Sequence, residues 1–308
     1  MRYLQITGLL LINESAGDTR RSPGFSGVDW LFNDARRAAK AHNYAREPYF
    51  RQSPRVRIQI KTGATMSTAA PDPALIDDLV TANHILFLEG VVDGYGHISA
   101  RHDKDPQRFV LSRSIAPATV TAADMLEYNV ADGQPIDPQG RKSYLERFIH
   151  SEIYRTRPDV MSVVHSHSVA VIPFGITKAK LMPVCHMSGF LGFSTPVYEI
   201  RDESGPDTNM LVQNNKQGAA LARVLDKSNF ALMRGHGSVA VGGSIKQAVY
   251  RAIYAEVNAR IQVEAMKLGD ITFLTPGEAA GSSKANDDTT ERPWALWKQR
   301  VAESRANK

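Results

Sequence analysis

A chain of 308 residues, 43% hydrophobic and 22% charged, is long enough for one large domain or two small ones and excludes the disordered and fibrous classes. The net charge of +5 is no nucleic-acid footprint: residues 1–65 hold 11 Lys+Arg against 5 Asp+Glu, and the rest of the chain, at 26 against 27, is nearly neutral. The early apolar run over residues 3–12 is shorter than the roughly 20 residues of a membrane helix, and no A-x-A-like cleavage site follows it convincingly.

Residues 1–66 read as a basic extension outside the core, with scattered arginines, Gly and Ser turns and one helix-like stretch over residues 30–40. Met66 precedes Ser67-Thr68-Ala69-Ala70, a common way for a chain to begin, so the extension is either upstream translation or a loose arm, or else an accessory segment covering an oligomer surface. Residues 67–279 carry the strong periodic signals. Leu75, Ile76, Leu79, Val80, Leu86 and Phe87 form a helical stripe ending at Gly90. Residues 91–101 read as a strand pair interrupted at Gly94-Tyr95-Gly96, and residues 108–111 as another strand. An amphipathic helix is predicted over 143–157, carrying Leu145, Phe148, Ile149 and Ile153 and stopped by Pro158. The β-branched run 160–171 predicts a strand, and further strands are predicted at 184–186, 197–200, 230–233 and 238–241. Ser244 with Gln247 three positions on opens the last long helix, which closes at Gly269. Residues 280–308 read as a polar tail with an aromatic patch at Trp294 and Trp297. The single cysteine, Cys185, permits neither an internal disulfide nor a thiolate metal cage, which points to the cytoplasm.

The chemistry concentrates in Val163-Val164-His165-Ser166-His167. Residues i and i+2 of a strand face the same side, so His165 and His167 project two imidazoles toward a shared point, the spacing of metal ligands. A third ligand is sought in Arg234-Gly235-His236-Gly237, where the glycines permit a tight turn; the competing reading is a surface turn histidine. His186 is a candidate ligand, acid–base group or substrate contact, or a buried satisfied histidine. Cys185 reads as a small core residue. Glu146, near the start of the 143–157 helix, is either a favourable charge on the helix dipole or an inward carboxylate able to shuttle protons, and Glu152 shares its face.

These motifs resemble the class II aldolase/adducin superfamily over roughly residues 74–276. The most specific stretch is Glu146-Arg147-Phe148, then Arg157-Pro158-Asp159 and Val163-Val164-His165-Ser166-His167, then Arg234-Gly235-His236-Gly237. In sugar-phosphate aldolases of this type the proton-handling acid stands 19 positions before the first histidine, which the resemblance places at Glu146 rather than Glu152. It also implies His165, His167 and His236 as ligands of one divalent ion per chain, zinc or manganese first, cobalt or iron as alternatives. The implied fold is α/β: three layers, α/β/α, around a central largely antiparallel sheet. Relatives are cyclic homotetramers with sites near subunit interfaces, where Tyr250, Tyr254 or the Trp294 tail could reach a neighbour's site.

The departures from that pattern concern the substrate. Gly96-His97-Ile98-Ser99 stands where sugar-phosphate aldolases hold phosphate with Gly-Asn, and Ser112-Arg113-Ser114-Ile115-Ala116-Pro117 replaces the turns completing the cradle. Arg113 offers a bidentate fork suited to a carboxylate, with His97, Ser112 and Ser114 beside it. The resemblance is thus to the branch of metal-dependent decarboxylases of hydroxylated aromatic or heteroaromatic acids, with Glu146 as proton carrier and His186 as a contact to a ring hydroxyl. The expected partner is a small carboxylic acid, not nucleic acid or a membrane. The alternatives are an aldolase for a non-phosphorylated hydroxy-oxo acid, an adducin-like binding module, which would lack the metal histidines, and a non-haem iron oxygenase, which more often uses two histidines and a carboxylate.

Overall fold

The protein is described here by a computed structural model covering residues 69–306. The expectations about the basic extension, its helix-like stretch and Met66 lie outside the described residues.

Helix α1 (Pro73–Leu88) begins where Asp72 accepts the Ala74 N–H and Pro73 fills the first turn. In chain order follow strands β1 (His97–Arg101), β2 (Arg108–Ser112), β3 (Met125–Asn129) and β4 (Pro135–Ile136), then α2 (Arg147–Thr156) and β5 (Ser162–Ser166). After these come α3 (Ile172–Ile176), β6 (Val197–Tyr198), α4 (Arg201–Ser204), α5 (Asn215–Leu225), β7 (Phe230–Met233) and β8 (Gly237–Gly242). The long α6 (Ile245–Leu268), α7 (Pro276–Asp287) and α8 (Glu291–Ala306) close the described chain.

The strands form one sheet in the order β4-β3-β2-β1-β5-β8-β7-β6. Its pairings are antiparallel except for the parallel β6–β7 edge, so the sheet is mixed, with antiparallel pairs dominating. The two-residue period of the strands sorts side chains into two cores. Ile98, Ala100, Val110, Val164 and Ala240 pack with α1, α6 and α8 on one face. Phe109, Leu111, Val163, Val239 and Val241 pack with α2 and α5 on the other. These are the three layers expected of an α/β/α fold. Among the described residues no helix is long and apolar enough to cross a membrane.

Several sequence expectations are corrected. Residues 91–96 form no strand, the strand expected over 160–171 is confined to β5, and the helix expected from residue 143 starts at Arg147. Residues 184–186 form no strand because α6 side chains take over their backbone bonding. Asn258 accepts the Val184 N–H at 2.9 Å and donates to the Met182 carbonyl at 2.8 Å, while Gln262 accepts the Met182 N–H at 3.1 Å. β3, β4 and α5 were not expected.

The largest correction is to the polar tail, which is helical from Pro276 and capped by a reciprocal Thr275/Glu278 box. In α8, Trp294, Trp297 and Val301 are 4%, 5% and 3% exposed and join the core of α1 and α6. They are spaced i, i+3, i+7, a buried stripe hidden by the polar average of its surroundings. Trp294 and Tyr250 are buried within this chain, the Tyr250 hydroxyl donating to the Met187 carbonyl. Replacing Trp297 with alanine is expected to lower stability by about 3–5 kcal/mol in denaturant titration; a loss below about 1 kcal/mol would show α8 to be dispensable.

Candidate active site

The site is assembled at one end of three adjacent strands. The β1–β5 register sets His97 opposite His165, and His167 follows just past the end of β5. The β7–β8 hairpin brings in His236: its N–H donates to the Met233 carbonyl at 3.1 Å, and Gly235 takes the turn at φ +62°. Gly237 serves a different need, since a Cβ there would lie 2.0 Å from the Ser166 carbonyl oxygen. Any side chain at this position would push β8, and His236 with it, away from β5.

The three imidazoles converge through Nε2. His167 Nε2 is 3.1 Å from His165 Nε2 and 2.9 Å from His236 Nε2, and Glu146 Oε2 lies 3.3 Å and 3.6 Å from those of His165 and His236. All four donor atoms lie within 4.8 Å of one another. The opposite ring nitrogens show what this arrangement is for. His165 Nδ1–H donates to the Ser238 carbonyl at 3.1 Å and His236 Nδ1–H to the Met210 carbonyl at 2.9 Å. Their Nε2 lone pairs therefore point inward, where nitrogens so close repel unless a cation lies between them. A tetrahedral ion would set such nitrogens about 3.3 Å apart, so the residues fit a divalent metal.

Electrostatics agree. Burial, reinforced by the neighbouring His165 and His236, lowers His167 to about 4, leaving it a neutral ligand at physiological pH. Burial pushes the Glu146 carboxyl up, and a positive charge at the imidazole cluster, a proton on His165 or His236 or a cation among the three rings, would pull it down. Although Glu146 is the N-cap residue of α2, its side chain makes no capping bond; Oε1 accepts the Val212 N–H at 3.1 Å instead. Glu152 is spent on structure, accepting from Asn215 at 2.7 Å and Arg155 at 2.8 Å.

A cavity of about 290 Å3 opens in front of this cluster, with Glu146, His97 and His167 at its base and Tyr95, Tyr144, Ile115, Leu145 and Leu211 among its walls. Ser114 lines it too. No lysine or arginine lines it among the described residues. Arg113, expected to bind the substrate carboxylate, instead gives its Nε–H to Asp124 at 2.6 Å, and Ser112 is wholly buried outside the lining. His186, expected at the chemistry, is exposed beside a separate cavity with Tyr254 and Arg292. Within the chain it does not join the histidine cluster.

Sequence reasoning missed two contributors. His150 stands four positions after Glu146, on the same face of α2, a helical spacing that could have flagged it. The loop segment Met210-Leu211-Val212 orients His236, lines the cavity and holds Glu146 through backbone groups, which leave no residue-type signal.

A family profile described as Class II Aldolase and Adducin N-terminal domain matches residues 77–263. The decarboxylase tropJ of Talaromyces stipitatus is 40% identical over 244 residues, covering 72% of this chain and 92% of that protein. A 3,4-dihydroxyphthalate decarboxylase from Terrabacter is 28% identical over 199 residues, covering 61% and 80%. An aldolase II superfamily protein from Pseudomonas syringae shares the fold with a TM-score of 0.64 at 20% identity, over 77% of this chain and 96% of that one.

Proposed function

The chain belongs to the class II aldolase and adducin family, and from that premise we propose that it is a divalent-metal-dependent carbon–carbon lyase decarboxylating a hydroxylated aromatic or heteroaromatic acid. The observation that carries this reading is the pairing of a three-imidazole cluster and a carboxylate with a largely apolar cavity that no lysine or arginine lines among the described residues. Tyr95, Tyr144, Ile115, Leu145 and Leu211 suit the faces of a planar ring, while no lysine or arginine among the described lining residues would meet a phosphate dianion.

His165, His167 and His236 would hold a divalent ion, which would supply Lewis acidity for the phenolate or enolate charge that decarboxylation develops. Glu146, whose Oε2 lies 3.3 Å from His165 Nε2 and which lines the cavity, accepts the proton of the substrate hydroxyl. As CO2 leaves, the electron pair of the broken bond stays with the ring, and Glu146 delivers its proton to the vacated carbon. His97 and Ser114 orient the substrate's oxygens from the cavity wall. Zinc or manganese suits a three-histidine set with open positions, with cobalt and iron as alternatives. The same reading takes the protein as a cytoplasmic homotetramer.

The test is CO2 release from a panel of ortho-hydroxyaryl carboxylic acids by metal-loaded protein, run beside aldehyde release from non-phosphorylated hydroxy-oxo acids. Metal-dependent CO2 release is expected. Aldehyde release alone would replace decarboxylation by aldol cleavage on the same groups, and turnover of neither class by any metal form would leave a binding module.

A further inference from the structure

Behind His97 runs a buried chain of polar groups that the proposed chemistry does not use. On β1, alternation sends Ile98 and Ala100 into one core and turns His97 and Ser99 toward α2. There His150 and Tyr154, one helical turn apart, meet them. His150 Nε2 lies 2.7 Å from His97 Nδ1, His150 Nδ1 lies 2.6 Å from Ser99 Oγ, and Ser99 Oγ lies 2.8 Å from the Tyr154 hydroxyl. His97, Ser99, His150 and Tyr154 are 2%, 0%, 0% and 2% exposed, so water does not complete their bonding. At 2.7 Å one of the two facing nitrogens of His97 and His150 carries the hydrogen and the other a lone pair, and burial, which lowers His150 to about 3, disfavours a charged ring.

With one hydrogen on each group, the directions can be worked out. Ser99 Oγ is the one hydrogen-bond partner of the Tyr154 hydroxyl among the described residues, so the buried phenolic hydrogen goes to Ser99. Ser99 then gives its own hydrogen to His150 Nδ1, and His150 must carry its hydrogen on Nε2 and give it to His97 Nδ1. The reverse tautomer of His150 would donate to Ser99 and strand either the serine or the tyrosine hydrogen in the core, which native structures avoid.

We infer that Tyr154, Ser99 and His150 are positioning residues that fix His97 as a neutral donor with its N–H on Nε2, at the ring edge remote from His150. His97 lines the cavity between Tyr144 and His165, at ring-centre distances of 4.4 Å and 5.0 Å. The substrate oxygen beside it is accordingly an acceptor, a carboxylate, carbonyl or phenolate oxygen, and not a hydroxyl seeking an acceptor. This assignment of substrate chemistry rests on the lyase reading, whereas the tautomer does not.

Neutron diffraction from metal-loaded crystals exchanged into heavy water locates the hydrogens directly. Deuterium is expected on Nε2 of both His97 and His150; deuterium on His97 Nδ1 would overturn the inference and leave the lyase reading standing. The expected tautomer without turnover of any hydroxyaryl acid would instead sink the lyase reading. Tyr154→Phe removes the head of the chain and lets both tautomers coexist. It is expected to raise KM roughly five- to tenfold with a smaller change in kcat and unchanged metal content. An unchanged KM in the folded variant would show that the chain does not position His97.

Discussion

Replacing His165 with alanine is expected to release the metal and to lower kcat/KM by more than about a hundredfold, since even a group that merely orients a ligand is worth roughly 10–100-fold. His165 is the ligand most firmly built into the fold. It is wholly buried, it is paired across strands with His97 and Val239, and its Nδ1–H is committed to the Ser238 carbonyl. Elemental mass spectrometry on untagged protein should find close to one divalent ion per chain in the unaltered protein and almost none in the variant. Because the deletion also leaves a hole in the sheet, His165→Asn, closer in size, serves as the control for folding, with thermal melting of both. A variant that keeps its full complement of metal would mean that the ion sits elsewhere and that the converging imidazoles have another purpose.

The legible parts of the site were those carried by residue type at short range. His165 and His167 could be read from a two-residue spacing, and the His236 turn from its flanking glycines, although Gly237 proves to serve strand packing rather than an unusual φ. Glu146 could not be separated from Glu152 by periodicity; the separation comes from tertiary partners, Val212 and the histidines for one, Arg155 and Asn215 for the other. Arg113 misled because a free guanidinium and one already paired look identical in a sequence, and Asp124 lies on a separate short turn. His186 carries no sequence signal of where its loop runs: it stands exposed beside a separate cavity, in a segment whose neighbours Met182 and Val184 are held by Asn258 of α6. The α8 stripe shows the same blindness at fold level: three apolar side chains in a polar helix suffice to bury one face, and composition averages them away.

Glu146→Gln is expected to separate chemistry from metal binding. The substitution keeps the size of the side chain, and its amide oxygen can still accept the Val212 N–H. The three imidazoles and their carbonyl partners are untouched, so the metal content should stay near that of the unaltered protein. What is lost is a group that takes a proton and returns it, an effect worth typically about 10²–10⁴ in kcat, while KM should move little because the cavity walls are unaltered. Reaction in deuterated water gives a second readout: the unaltered enzyme should place one deuterium on the carbon that lost CO2, and the residual turnover of the variant should be limited by that same protonation. A parallel loss of metal would assign Glu146 to ligation, which its 3.3 Å approach to His165 Nε2 also permits sterically. Glu152→Gln is the matching control on the same helix. Its carboxylate joins α2 to α5 through Asn215 and pairs with Arg155, so that variant should melt earlier yet turn over at nearly the normal rate. If the two variants behaved alike in kcat, Glu146 would be reduced to a structural acid like its neighbour, and the proton would have to come from elsewhere in the cavity.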